Sequence, residues 1–302
     1  MNPDPRSILD EIGIAGATIR RIDTLSQRHG HAMWRIVTAE RSYILKWLPQ
    51  ADAGEVQGYR LLRQLGVPTL PLYGHSAQAL LLEDLDASAT WRLATEEDVA
   101  RPDVGRAVAR WYRTFHDAGE ALLAQGDRPA FLTRETDALD AHSILATGQA
   151  LGPADHPVWD LAAEHIGMLK AALERMSVTL NYNDFYWTNL ALSRRPEGEP
   201  EAIIFDYHLL GMGMRYSDWR NVAGSLHGAA VEAFRETYGP TDPREEVLDR
   251  PLATLHGLHV AARMARFPAW AECCREAVQN GELERDLRAA IALWERFHRG
   301  PA

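Results

Sequence analysis

Two hydrophobic periodicities divide the chain and constrain its fold. Residues 19–48 contain three short segments rich in β-branched and aromatic side chains, separated by turn-like stretches at 26–30 and 38–41. Helical spacing over 51–65 and two further apolar runs at 70–73 and 79–83 follow. From about residue 94 onward, apolar residues recur every three or four positions. The sequence predicts an antiparallel sheet of about five strands, followed by a mainly helical region.

The fold class expected from this order is α+β with two lobes. Residues 1–86 form the N-lobe, a small antiparallel sheet with a helix, and residues 87–302 form a larger, mainly helical C-lobe. The polar stretch 83–88 connects the lobes, and one β segment over 190–205 interrupts the helices. Helix breaks are expected in the last third, at Gly239-Pro240, Pro243, Pro251, Pro268 and Gly281.

Composition excludes several classes of partner. The chain of 302 residues has a net charge of −10, which argues against nucleic-acid binding and favours a cationic small molecule. No apolar run approaches the roughly 20 residues of a membrane helix, and no signal-peptide pattern opens the chain, so a cytoplasmic protein is expected. The cysteines, Cys273 and Cys274, are neighbours, which favours reduced thiols. Nothing in the composition decides the oligomeric state.

Three polar residues in two apolar-flanked phrases carry the candidate chemistry. Asp184 and Asn189 lie five positions apart in one loop, and Asp206 ends the apolar run 203–205. A carboxylate can act as a general base, and carboxylate and amide oxygens are ligands that Mg²⁺ accepts. The alternative is a turn rich in Asn and Asp that makes only local hydrogen bonds. The combination of all three residues favours an ATP-dependent phosphoryl-transfer site.

In this order and spacing the three residues resemble the aminoglycoside phosphotransferase and choline kinase-like small-molecule kinases. The resemblance extends from about residue 19 to 226 and is strongest over 180–222. It implies a two-lobed protein-kinase-like fold and transfer of the γ-phosphate of ATP, or of GTP, to a hydroxyl of a small molecule. Asp184 would then accept the proton of that hydroxyl, while Asn189 and Asp206 would bind Mg²⁺.

The N-lobe contains the residues that this resemblance assigns to the nucleotide. Lys46 on the third strand and Glu55 on the following helix match the phosphate-binding lysine and its glutamate partner. The alternatives are a solvated lysine on an edge strand and a common first-turn glutamate. Glu83, Asp84 and Leu85 resemble the interlobe link, where backbone groups hold the adenine.

Departures from the family pattern leave a second hypothesis open. Tyr182 stands where the family has a loop-organising His, and Asp218, after a glycine-containing loop, would support the loop unless it is a helix N-cap. The loop 26–30 has one glycine, and no Asp-Phe-Gly follows Asp206. A nucleotide-binding module without activity, or a structural helical protein, is therefore an alternative to an enzyme.

The sequence does not identify the acceptor substrate. Aminoglycoside-type antibiotics are the leading candidates, and choline, a homoserine-like amino acid and other hydroxylated metabolites are alternatives. Candidate acceptor-binding side chains are acidic or aromatic residues of the C-terminal helices, although exposed charged helix faces explain most of them equally well. They are Trp219, Glu232, Trp270, Glu272, Glu276, Glu282 and Asp286.

Overall fold

The computed structural model describes residues 3–14, 19–28, 30–152, 156–194 and 198–299. The chain forms two compact units. Unit 1 comprises Met1–Gly119, Tyr182–Leu210 and Asn221–Gly239, and unit 2 comprises Glu120–Asn181, Gly211–Arg220 and Pro240–Ala302. The lobe boundary expected near residue 86 stays a prediction.

The helices and strands follow one another in an order that matches the predicted change from sheet to helix. In chain order they are α1 (Pro5–Ile12), β1 (Ile19–Arg28), β2 (His31–Thr38), β3 (Ser42–Trp47), α2 (Gly54–Gln64), β4 (Leu72–His75), β5 (Ala79–Glu83), β6 (Trp91–Leu93), α3 (Pro102–Ala124), α4 (Ala141–Leu151), α5 (Val158–Leu173), β7 (Thr179–Asn181), β8 (Leu190–Ser193), β9 (Ala202–Ile204), β10 (Gly211–Gly213), α6 (Arg215–Ser225), α7 (Ala229–Tyr238), α8 (Pro243–Ala261), α9 (Glu272–Gln279) and α10 (Glu282–Arg299).

The first sheet of unit 1 has five antiparallel strands in the order β1-β2-β3-β5-β4. Alternate residues of β2, among them Trp34 and Ile36, face a core that also contains Leu45 of β3 and Leu9 of α1. The predicted α+β fold with an antiparallel N-terminal sheet is confirmed. The turn expected over 26–30 is shorter, because β1 pairs with β2 as far as Arg28, and His29 lies outside the described residues.

Helix α2 turns one face toward the interior of unit 1 and one toward solvent. Val56, Tyr59 and Leu62 are buried on the same face as Glu55, whereas Arg60 and Arg63 are exposed. The helix ends at Gln64, two residues before Gly66, whose φ of +74° is a left-handed conformation that glycine adopts at low cost. The sequence predicted helix over 51–65, and the α-helix begins slightly later, at Gly54, after a short 3-10 turn.

Unit 1 also contains the small sheet that carries the candidate loop. Its strand order is β6-β8-β9, with both pairings antiparallel. Leu190 and Leu192 of β8 and Ile204 of β9 are fully buried. A burial pattern without alternation explains why both strands are apolar apart from Ser193.

Unit 2 is a helical assembly with its own apolar core, formed by residues of α4, α5, α8, α9 and α10. Four of the expected helix breaks are confirmed, since Gly239 ends α7, Pro243 begins α8, and Pro268 and Gly281 lie between helices. The break expected at Pro251 is wrong, because α8 continues through it. A proline inside a helix removes one backbone hydrogen bond, and here its ring is buried with neighbouring leucines of α8, which offsets that loss. Of the helices described, none combines the length and apolar character needed to cross a lipid bilayer.

Candidate active site

Lys46 of β3 lies between two carboxylates of unit 1. Its Nζ is 2.9 Å from Glu55 Oε1 and 2.7 Å from Glu55 Oε2, and 2.9 Å from Asp206 Oδ1. Burial disfavours the charged ammonium, but the two carboxylates outweigh burial and raise the pKa of Lys46. The lysine is therefore a fixed cation that joins the sheet, α2 and the segment after β9.

Asp206 follows β9 directly and adopts an unusual backbone conformation. Its φ is +68°, and Asn183 has a φ of +67°. Both values lie in the left-handed region of backbone conformation, which residues other than glycine seldom adopt. Asn183 Nδ2 donates to the carbonyl of Leu209 at 3.1 Å. Such strain persists only where neighbouring contacts hold it, and it concentrates at functional sites. Here it occurs at Asp206 itself and at the residue before Asp184.

The loop between β7 and β8 holds Asp184 through the side chain of Asn189. Asn189 Nδ2 donates to Asp184 Oδ2 at 2.9 Å and to the backbone carbonyl of Asp184 at 3.2 Å. The backbone N–H of Phe205 donates to Asn189 O at 3.0 Å, which ties the loop to the strand that delivers Asp206. Two loops distant in sequence are thereby held together.

His208 lies beside the carboxylates and is a second cation there when its ring is protonated. Its Nδ1 is 3.0 Å from Asp206 Oδ1, and this hydrogen bond raises the pKa of His208 against the opposing effect of burial. Burial would raise the pKa of Asp206, but His208 and Lys46 hold it below its ordinary value. Burial also raises the pKa of Asp184, and there His208 acts in the opposite direction. The site thus pairs an ionised Asp206 with a more basic Asp184.

Tyr182 is fully buried and connects the start of the loop to β9. Its hydroxyl donates to the carbonyl of Phe205 at 2.5 Å, immediately before Asp206, and its ring packs edge-on against Tyr207 and Trp111. The phenol therefore holds the loop by a hydrogen bond to the backbone. Its role as structural support stays a prediction.

The stretch Glu83, Asp84 and Leu85 follows β5, and its carboxylates already have partners. The Glu83 carboxylate accepts from the hydroxyl of Tyr73, and Asp84, which is buried, accepts from Arg35 Nε at 2.7 Å. The carbonyl of Leu85 accepts from an arginine side chain at 3.4 Å. Both side chains are engaged with the protein, and the role of this stretch in holding adenine through backbone groups stays a prediction.

Asp218 lies in unit 2, in the first turn of α6. The helix begins at Arg215, so Asp218 is not the N-cap residue. Its side chain is buried, and Asn181 Nδ2 lies 3.5 Å from Asp218 Oδ2 and donates to the carbonyl of Met214 at 2.9 Å. A Cβ at Gly213 would lie 2.0 Å from Asn181 Oδ1, so any other residue there would displace the Asn181 side chain from these contacts. Asp218 is thus placed to support the strand that leads into the loop, a role that stays a prediction.

The chain matches no protein-family model and no curated protein sequence. Among solved structures, a choline/ethanolamine kinase family protein from Mesorhizobium loti superposes with a TM-score of 0.59 at 17% identity, covering 94% of this chain and 97% of that one. Choline kinase LicA from Streptococcus pneumoniae gives 0.57 at 13% identity, covering 95% and 99%. The GDP and kanamycin complex of APH(2")-IIIa gives 0.57 at 13% identity, covering 92% and 98%. The chain has the protein-kinase-like fold of these phosphotransferases.

The donor atoms of the site suit a hard cation. Asp206 Oδ1 is engaged by Lys46 and His208, which leaves Oδ2 for another partner, and Asn189 turns its amide nitrogen toward Asp184. Mg²⁺ is usually bound by one or two protein oxygens together with water and substrate phosphates. One carboxylate and one amide oxygen therefore fit the ion that the fold implies.

Two features of the site were not found by sequence reasoning. His208 was not among the candidate residues, because a histidine two positions after an aspartate does not by itself indicate a bond between their side chains. Arg35, which pairs with Asp84, lies in a β strand where an arginine is unremarkable. Arg35 and Asp84 are 49 positions apart, so only tertiary structure brings them together, whereas His208 follows Asp206 by two positions and its contact depends on the local backbone conformation.

The acceptor-binding candidates are not gathered by the structure into one described site. Glu232 pairs with Arg235 one turn along α7, and Glu272 is an ion-pair partner of Arg275. Both pairs are typical of exposed helix faces. Trp270 is more than half exposed. These residues stay predictions without a shared geometry.

Proposed function

We propose that the chain is a phosphotransferase that moves the γ-phosphate of ATP to a hydroxyl group of a small molecule in a Mg²⁺-dependent reaction. The observation that carries the proposal is the convergence of Lys46, Glu55 and Asp206 with the Asp184–Asn189 pair within one compact unit. These residues lie as much as 160 positions apart in sequence. Chance motif matches would not predict such a convergence.

Each residue has a role that follows from its chemistry. Lys46 would neutralise the nucleotide phosphates, with Glu55 holding its ammonium in place. Asp206 and Asn189 would hold Mg²⁺, which neutralises charge on the phosphates when it is bound. Asp184 would orient the acceptor hydroxyl and accept its proton, a task favoured by its raised pKa. Positioning and charge neutralisation would supply most of the rate acceleration.

The acceptor class proposed is a hydroxylated amine. The net charge of −10 attracts cationic molecules, and solved structures with the same fold include a choline kinase and a kanamycin complex. An aminoglycoside-type antibiotic is the first substrate to test, and choline and other hydroxylated amines follow. Because one of those structures contains GDP, GTP is tested beside ATP as the donor.

The test is nucleotide-dependent phosphate transfer by wild type and Asp184→Asn, measured as nucleoside diphosphate formed with pooled hydroxylated amines. Loss of a general base lowers kcat by about 10²–10⁴-fold. The control, Asp160→Asn, removes the same charge from an exposed position in unit 2 and leaves kcat unchanged. Nucleotide affinity, followed by thermal shift, stays near the wild-type value in both variants.

Two results would contradict the proposal in different ways. Stabilisation by nucleotide and Mg²⁺ without transfer to any acceptor would favour a nucleotide-binding module that lacks activity. Transfer that survives Asp184→Asn at the wild-type rate would remove the base from its assigned role.

A further inference from the structure

The exposed face of α2 borders a cavity that the proposed reaction does not use. The cavity has a volume of about 310 Å³ and is lined by Arg60, Arg63, Gln64, Leu72 and His75. The first three belong to the last two turns of α2, and the other two belong to β4. Glu55 lies on the buried face of the same helix, so the cavity is separate from the contacts of Lys46.

The two arginines of this cavity have no acidic partner among the described residues. Other arginines have carboxylate partners; Arg35 and Arg92, for example, are held by aspartate at 2.6–2.8 Å. Arg63 instead donates only to the carbonyl of Leu72, at 3.4 Å, which draws its guanidinium toward β4. Arg60 makes no described side-chain hydrogen bond. Their donor groups are therefore left to solvent or to a ligand.

The chemistry of the lining is that of an anion site. Each guanidinium offers five N–H donors and no acceptor, in a planar fork that matches the oxygens of a phosphate. The Gln64 amide and the His75 ring add further donors. The C-terminus of α2 opposes an anion with about half an elementary negative charge, which the two full arginine charges exceed. Because the chain as a whole has a net charge of −10, which repels anions, the attraction for an anion has to come from these two arginines.

We propose that this cavity, the α2–β4 pocket, binds a phosphate group, either as free phosphate or as the phosphomonoester of a small metabolite. A volume of about 310 Å³ accommodates a phosphate with a short organic substituent. Arg60 and Arg63 would contact the phosphate oxygens from one helical face, while His75 would approach from β4.

The experiment measures binding without nucleotide or acceptor, so it is independent of phosphotransferase activity. Inorganic phosphate and glycerol phosphate are titrated by calorimetry into wild type and Arg60→Gln/Arg63→Gln at constant ionic strength. Glutamine keeps helix propensity and removes both charges. The control, Arg6→Gln/Arg266→Gln, removes two exposed arginines outside the pocket. The NMR signals of the His75 ring report whether the ligand occupies the pocket.

Saturable binding that moves the His75 signals and weakens at least about tenfold in the pocket variant, but not in the control, supports the proposal. Tighter binding of glycerol phosphate than of inorganic phosphate identifies a monoester as the ligand, and equal affinity identifies free phosphate. The proposal is overturned if neither probe binds, if the pocket variant binds like wild type, or if the control loses as much affinity. Thermal unfolding of each variant checks that the fold is retained.

Discussion

Replacing Lys46 by methionine tests the central ion-pair arrangement of the site. Methionine fills similar space but has no charge, so the Glu55 carboxylate loses the ammonium that lies 2.7–2.9 Å away. The Glu55 side chain has 0% exposure, so solvent cannot replace the lost partner. Asp206 is one-third exposed and keeps His208, so its loss is smaller.

The expected destabilisation follows from the burial of Glu55. Removing one partner of a buried ion pair costs about 3–5 kcal/mol in the free energy of unfolding, because an uncompensated charge stays inside. Here Asp206 adds little, because solvent screens it, and Glu55 can take up a proton. We therefore expect a loss of about 3 kcal/mol near neutral pH.

The loss depends on pH with a definite sign. Burial holds the folded-state pKa of Glu55 above its ordinary value even beside Lys46, and removing the ammonium raises that pKa further. A carboxyl group whose pKa is higher in the folded state than in the unfolded state stabilises the fold at pH values below its unfolded-state pKa. That stabilisation is lost as the pH rises through its folded-state pKa. The destabilisation of Lys46→Met should therefore be larger at about pH 8 than at about pH 5.

Urea unfolding followed by tryptophan fluorescence measures these differences. Lys170→Met is the matched control, since Lys170 is the other lysine of the chain and, among the described residues, its Nζ donates only to a backbone carbonyl, at 3.1 Å. Adding Glu55→Gln to Lys46→Met should recover most of the loss, because the pair then leaves no buried charge. A loss below about 1 kcal/mol, or one that is equal at both pH values, would refute the reasoning.

Three further predictions concern other contacts. His208→Gln should raise the pKa of Asp184 in the ligand-free protein, because a neighbouring cation is lost; carboxyl NMR titration measures the change, and an unchanged pKa would contradict it. Tyr182→Phe should lower the free energy of unfolding by about 1–3 kcal/mol by leaving a buried carbonyl unpaired, with denaturant unfolding as the measurement and full stability as the contrary result. Gly105→Ala should lower the free energy of unfolding by more than about 1 kcal/mol, because a Cβ would lie 2.2 Å from a backbone oxygen of α7. Gly167→Ala is the control: a Cβ there meets open space, so the variant should be as stable as wild type or more stable when both are compared by thermal unfolding.

The features predicted correctly from sequence depend on local patterns. Short alternating strands and the helix after the third strand follow from periodicity, and the five-stranded sheet agrees with that expectation. The order Lys46, Glu55, Asp184, Asn189 and Asp206 supplied the candidate site, and the structure brings these residues together in unit 1. Their chemical roles stay predictions.

The features that sequence reasoning missed depend on contacts between distant residues. The hydroxyl of Tyr182 reaches the carbonyl of Phe205, 23 positions away, and Arg35 reaches Asp84, 49 positions away. Neither partner can be chosen from spacing, because many polar groups lie at similar separations. Pro251 is a further position where local sequence did not predict the structure, because its burial in unit 2 allows α8 to continue through it.

The identity of the cation in the site contains information that spacing alone does not. Lys46 and Lys170 are the chain's two lysines among 32 basic residues, so arginine is the default cation of this protein. A guanidinium is a wide planar fork suited to two parallel bonds with one carboxylate, as at Arg35 and Asp84. The ammonium of Lys46 is compact and contacts Glu55 and Asp206 together, each at under 3 Å. In an arginine-rich chain, a lysine retained in an apolar strand therefore indicates a position where a small point charge is required.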